Sequence, residues 1–149
     1  MESMSDMMDQ LKELKELKVK ASDESMQAVN DFIHSVLPAA CDDMLLNQID
    51  LAVEEIFVNI AHYSGADQAQ IFAGYHVGGD GSGVLTVVFK DGGKEFNPLE
   101  KKDPDLTLSA EERSIGGLGI FLTKKFMDSV EYEFADGMNV LKITKKICS

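Results

Sequence analysis

The run Asp91-Gly92-Gly93-Lys94-Glu95-Phe96-Asn97-Pro98 stands where a regular strand pattern breaks off. Immediately before it, residues 69–77 and 83–90 are apolar and strand-like, separated by Gly78-Gly79-Asp80-Gly81-Ser82-Gly83. A glycine-rich connection this short between two such runs predicts an antiparallel hairpin. After the run, residues 97–114 are polar, contain Pro98 and Pro104, and carry little core-forming pattern, so they read as a mobile loop. That loop ends at Gly116-Gly117-Leu118-Gly119, which leads into an apolar helix over residues 118–128. Strands over 130–135 and 139–146, joined by Asp136-Gly137, close the chain.

Upstream, Leu17, Val19 and Ala21 alternate with Lys18 and Lys20, which predicts a strand over 14–21. Ser22 or Asp23 caps a helix whose apolar residues Met26, Val29, Phe32, Ile33 and Val36 have helical spacing and which ends near Pro38. Residues 43–63 are the most strongly periodic segment, with Leu45, Leu46, Ile49, Val53, Ile56, Phe57 and Ile60 on one stripe. The order is β-α-α-β-β-loop-α-β-β. Paired strands and helices that cover one face of them make a two-layer α+β sandwich, and strict βαβ alternation is absent. Residues 1–13 read as a frayed acidic helix or flexible leader, and residues 14–149 as one domain.

Around the helix of residues 43–63 the polar side chains fall into two groups. Asn47, Asp50 and Glu54 lie opposite the apolar stripe and read as solvated, whereas Gln48, Glu55, Asn59 and His62 line a separate edge beside it. Glu55 and Asn59 are four residues apart, so both can converge on one ligand. From spacing alone, that edge is either a site or the ordinary boundary of an amphipathic helix.

Composition narrows the classes of function. At 149 residues the chain has the size of one domain with a full core. A net charge of −12 disfavours a nucleic-acid partner, but not a nucleotide held by backbone N–H groups and a metal ion. No run approaches the roughly 20 apolar residues of a membrane span, and the acidic start lacks the pattern of a secretion signal, so the cytoplasm is the expected location. Cys41 and Cys148 read as isolated reduced thiols. His34, His62 and His76 read as ordinary surface or half-buried residues.

Glu55-x-x-x-Asn59, Asp91-x-Gly93-x-x-Phe96 and Gly117-x-Gly119, in that order and on matching elements, resemble the N, G1 and G2 boxes of the Bergerat (GHKL) ATPases. Within that group, Val53-Glu54-Glu55-Ile56-Phe57-Val58-Asn59-Ile60 and Ile115-Gly116-Gly117-Leu118-Gly119-Ile120-Phe121-Leu122 look most like the RsbW-type anti-sigma-factor serine kinases. The resemblance implies a mixed, mostly antiparallel sheet with helices on one face, and ATP and Mg²⁺ as ligands. It casts Asp91 as acceptor for the adenine amine, Gly93 as the point of close approach to the base, and Phe96 as part of the nucleotide site. Asn59 becomes the Mg²⁺ ligand, Gly116, Gly117, Leu118 and Gly119 the phosphate-binding turn, Glu55 the general base, and Arg113 a partner of the γ-phosphate.

Two departures from the family pattern accompany it: Glu95 stands where a proline often precedes the phenylalanine, and Arg113 lies farther from Gly119 than in sporulation-type relatives. The implied partners are a sigma factor and an anti-anti-sigma (STAS-type) antagonist, with homodimerisation common in the family. The alternative function is a nucleotide-dependent binding module without phosphotransfer.

Overall fold

The structure is a computed structural model and describes residues 14–38, 41–78, 80–100 and 117–147. Its elements are β1 (Lys15–Lys20), α1 (Met26–Val36), α2 (Asp43–Asn59), β2 (Gln68–Val77), β3 (Gly83–Asp91), α3 (Gly117–Phe126), β4 (Ser129–Ala135) and β5 (Met138–Ile147). Short 3-10 turns at Asp23–Ser25 and Pro98–Glu100 complete the order read from sequence. The leader of residues 1–13 and most of the polar loop lie outside the described residues.

The strands form one five-stranded sheet in the order β1-β2-β3-β5-β4. Where a mixed sheet was expected, every pairing among the described residues is antiparallel, because no helix returns the chain to pair parallel with an earlier strand. The β4–β5 hairpin folds back so that β5 lies beside β3, and this register sets Asp91 at the end of β3 opposite Asn139 at the start of β5.

Alternation within the strands gives the sheet two faces. Leu17, Val19, Ile71, Ala73, Leu85, Val87, Phe89, Leu141 and Ile143 pack with Val29 and Ile33 of α1 and Ile49, Val53, Ile56 and Phe57 of α2. These helix residues are the expected stripes, and burying each large aliphatic side chain contributes about 1.5–3 kcal/mol. A smaller cluster of Phe72, Val88 and Val140, with Leu14 and Met138, occupies the other face.

The second helix departs from expectation at its C-terminus. Its start is capped by Asp42, whose carboxylate accepts the Met44 N–H at 2.7 Å. Regular α-helix stops at Asn59, and Ile60–Ser64 form a π-helical turn ended by Gly65 at φ 74°. The Ser64 hydroxyl donates to the Ile60 carbonyl at 2.8 Å within that wider turn. His62, expected on the Glu55–Asn59 edge, lies in this turn and pairs with Asp23 at 2.9 Å. His34 likewise pairs with Asp50 at 2.7 Å, bracing α1 against α2. Burial, with Asp42, Asp43 and Asp50 nearby, pushes the free Cys41 thiol up and keeps it in its unreactive form.

Candidate functional site: a cavity between the second helix and the sheet

The end of β3, the start of β5 and the last turn of α2 surround a small, partly open cavity. Ile56, Ile60, Phe89 and Leu141 supply apolar walls, Phe96, Pro98 and Tyr132 border it, and Asn59, Asp91 and Asn139 add its polar groups. Its lining is mostly apolar with a few placed polar atoms, the make-up common to small-molecule sites.

Asp91 is 3% exposed, and its Oδ1 accepts the Gly93 N–H at 2.9 Å and Asn139 Nδ2 at 3.1 Å. The first bond closes an Asx turn that starts the loop after β3. That loop is then tied to the π turn, with the Lys94 N–H donating to the Ser64 carbonyl at 2.9 Å. At Gly93 a Cβ would stand 2.2 Å from the Ser64 carbonyl oxygen, so this glycine is required by the close approach of two backbones. The Phe96 ring stacks on Tyr63 with centroids 5.5 Å apart.

At the other side, Asn59 is 4% exposed and its Nδ2 donates to Glu55 Oε1 at 3.3 Å. The two residues do converge, as their spacing requires. With its nitrogen turned to a carboxylate, the Asn59 amide has its oxygen available to a hard cation. Among the described residues no group of three or more His, Cys, Asp or Glu side chains could hold a metal by itself. A hard ion such as Mg²⁺ can take a single protein oxygen of this kind and fill its shell with water and phosphate oxygens.

Gly117, Leu118 and Gly119 are the opening residues of α3, where backbone N–H groups lack partners within the helix and favour an anion. Gly119 also has a steric role that its sequence did not reveal: a Cβ there would lie 2.2 Å from the Glu55 carboxyl carbon. Its neighbour is the end of a flexible side chain, and alanine favours a helix by about 1 kcal/mol over glycine. Gly119→Ala is accordingly expected to leave the melting temperature unchanged or higher while displacing the Glu55 carboxylate. Thermal melting and a crystal structure of the variant check this, and an unmoved Glu55 would refute it.

Of the residues expected at the site, the structure brings Asn59, Asp91 and Phe96 to one cavity, with Gly93 in the loop that borders it and Glu55 bonded to Asn59 and against Gly119. Arg113 and Gly116 lie outside the described residues. Sequence reading missed Tyr63, Tyr132 and Asn139. Asn139 carried no local signal, because only the β3–β5 register sets it against Asp91.

Residues 19–145, which include this cavity with its buried carboxylate, asparagine–glutamate pair and neighbouring helix start, match the histidine kinase-like ATPase domain. The chain belongs to that family. Among curated proteins it is similar to the serine-protein kinase RsbW of Listeria innocua serovar 6a, 31% identical over 108 residues that cover 68% of this chain. The match spans 66% of the Listeria protein's length. Among solved structures, the RsbU and RsbW domains of Rv1364c from Mycobacterium tuberculosis align with a TM-score of 0.55 at 13% identity, over 91% of this chain and 33% of that one. That likeness shows a shared fold. No helix among the described residues is long and apolar enough to cross a membrane.

Proposed function

We propose that this chain is an RsbW-type anti-sigma factor and a Mg-ATP-dependent kinase that phosphorylates a serine or threonine of a small cytoplasmic antagonist of the anti-anti-sigma (STAS) type. The observation that carries the reading is the pairing, across one cavity, of buried Asp91 with the Asn59–Glu55 pair beside the start of α3. Asp91 accepts the exocyclic amine of adenine, the apolar walls sandwich the base, and the first N–H groups of α3 receive phosphate oxygens. Asn59 would hold Mg²⁺ through its amide oxygen, and the ion would supply charge neutralisation on the phosphates.

Glu55 is the general base. As the substrate hydroxyl oxygen forms its bond to the γ-phosphorus, its proton passes to the Glu55 carboxylate, the bond to the bridging oxygen breaks, and ADP leaves. Asn59 holds Glu55 through its amide and limits the carboxylate's rotation. The sigma factor, the antagonist and a homodimeric state belong to this proposal by family likeness. Light scattering of the purified protein tests the dimer.

Calorimetric titration of ATP with Mg²⁺ into the wild type and Asp91→Ala tests the nucleotide site. The variant strands the adenine amine and should lose about 1–3 kcal/mol of binding. It also leaves the Gly93 N–H and Asn139 Nδ2 without their acceptor, so its melting temperature should fall as well. Binding indifferent to Asp91 would sink the reading.

A further inference from the structure

We infer that Asn139, held in orientation by Tyr132, is a positioning residue that sets Asp91 to receive a 6-amino purine and so determines which purine the site selects. The inference rests on the ATP reading of the cavity and names residues that reading does not use.

Asn139 is 5% exposed and its amide is fully engaged. Nδ2 donates to Asp91 Oδ1 at 3.1 Å and to the Lys94 carbonyl at 2.8 Å, while Oδ1 accepts the Phe96 N–H at 3.0 Å and the Tyr132 hydroxyl. Two donors and two acceptors exhaust an asparagine side chain. Its orientation is set by chemistry, since the Lys94 carbonyl can only accept and the Phe96 N–H can only donate. A flipped amide would lose both bonds and turn its oxygen toward the Asp91 carboxylate.

Two consequences follow for Asp91. Both of its donors among the described residues, Gly93 N–H and Asn139 Nδ2, fall on Oδ1, which fixes the carboxylate's rotation and leaves Oδ2 as the acceptor for a ligand. The same amide ties down the loop at Lys94 and Phe96, so loop and carboxylate are held by one residue. Tyr132 completes the device from the neighbouring strand. Burial, together with the charges of Glu95, Asp91 and Glu100, pushes its phenol up, so it stays a donor throughout the working pH range.

A carboxylate oxygen fixed in this way accepts from the 6-amino group of adenine and repels the 6-oxo group of hypoxanthine. The ratio of ATP to ITP affinity therefore reads the device directly. The experiment is calorimetry of ATP and ITP, each with Mg²⁺, on wild type, Asn139→Leu and Tyr132→Phe, with thermal melting alongside.

The wild type is expected to prefer ATP by about 30-fold or more. In Asn139→Leu the preference should collapse to about threefold or less, and in Tyr132→Phe, where one hydrogen bond is lost, it should drop by about 2–10-fold. A purely structural Asn139 would weaken both nucleotides equally, so an unchanged ratio beside a lower melting temperature overturns the inference and leaves the ATP site standing. A wild type that binds neither nucleotide overturns the ATP reading itself, and this inference with it. If Asn139→Leu does not fold, the Tyr132→Phe ratio decides alone.

Discussion

Glu55→Gln is expected to reduce phosphorylation of the antagonist by about 100- to 10,000-fold while leaving the ATP dissociation constant within about threefold of wild type. Glutamine keeps the length and shape of the side chain, and its carbonyl oxygen can still accept the Asn59 amide that now bonds Oε1 at 3.3 Å. Packing against Gly119 is likewise preserved, since the space there already admits a planar terminal group. What disappears is the capacity to take a proton from the attacking hydroxyl. Phosphoserine or phosphothreonine measured by mass spectrometry, with calorimetry of ATP on the same preparations, separates chemistry from binding. Full phosphorylation by Glu55→Gln would remove Glu55 from the mechanism. A wild type that binds ATP and sequesters its partner yet forms no phosphoamino acid would instead be a nucleotide-dependent binding module.

Gly93→Ala is expected to weaken ATP binding by about 100-fold and to cost about 1–3 kcal/mol of stability, the usual range for overpacking. An added methyl group would stand 2.2 Å from the Ser64 carbonyl oxygen and 2.7 Å from its carbon. Neither backbone yields easily. Ser64 is buried, its hydroxyl is bonded to Ile60, and its carbonyl receives the Lys94 N–H, so relief must come from moving the loop after β3. Moving that loop pulls Lys94 and Phe96 away from Asn139 and loosens Asp91. The contrast with Gly119→Ala lies in the neighbour, which is rigid backbone at Gly93 and a flexible carboxylate at Gly119. Calorimetry and thermal melting of the two variants side by side check the contrast, and a Gly93→Ala protein with wild-type affinity and melting temperature would refute it.

Much of this architecture follows from local pattern. The alternation in residues 69–77 and 83–90 and the glycines between them specify a hairpin, which is observed as β2 and β3. The stripe from Leu45 to Ile60 specifies which side of the second helix is covered: Ile49, Val53, Ile56, Phe57 and Ile60 are buried, and Leu45 and Leu46 at its start are half-buried. The Glu55–Asn59 convergence is likewise local, because a four-residue step on a helix admits few other outcomes.

Other features were hidden for physical reasons. Nothing in Ile60-Ala61-His62-Tyr63-Ser64 distinguishes a π turn from one more α turn, yet a π turn forms there, with His62 paired to Asp23 and the Ser64 carbonyl accepting from the loop. Gly119 reads as a phosphate-turn glycine, while its contact with Glu55 exists only because α3 packs on α2.

Side-chain periodicity, turn chemistry and helical spacing are short-range quantities, so the elements, their buried faces and the Glu55–Asn59 edge were contained in the residue order, while Asp91 became a candidate through the resemblance of its motif to the G1 box. Strand register and helix packing are long-range. Asn139 meets Asp91 across 48 positions of chain, and it does so because β5 folds back beside β3, not because of anything written near residue 139. A residue whose role is conferred by a distant partner becomes visible only once the sheet has assembled.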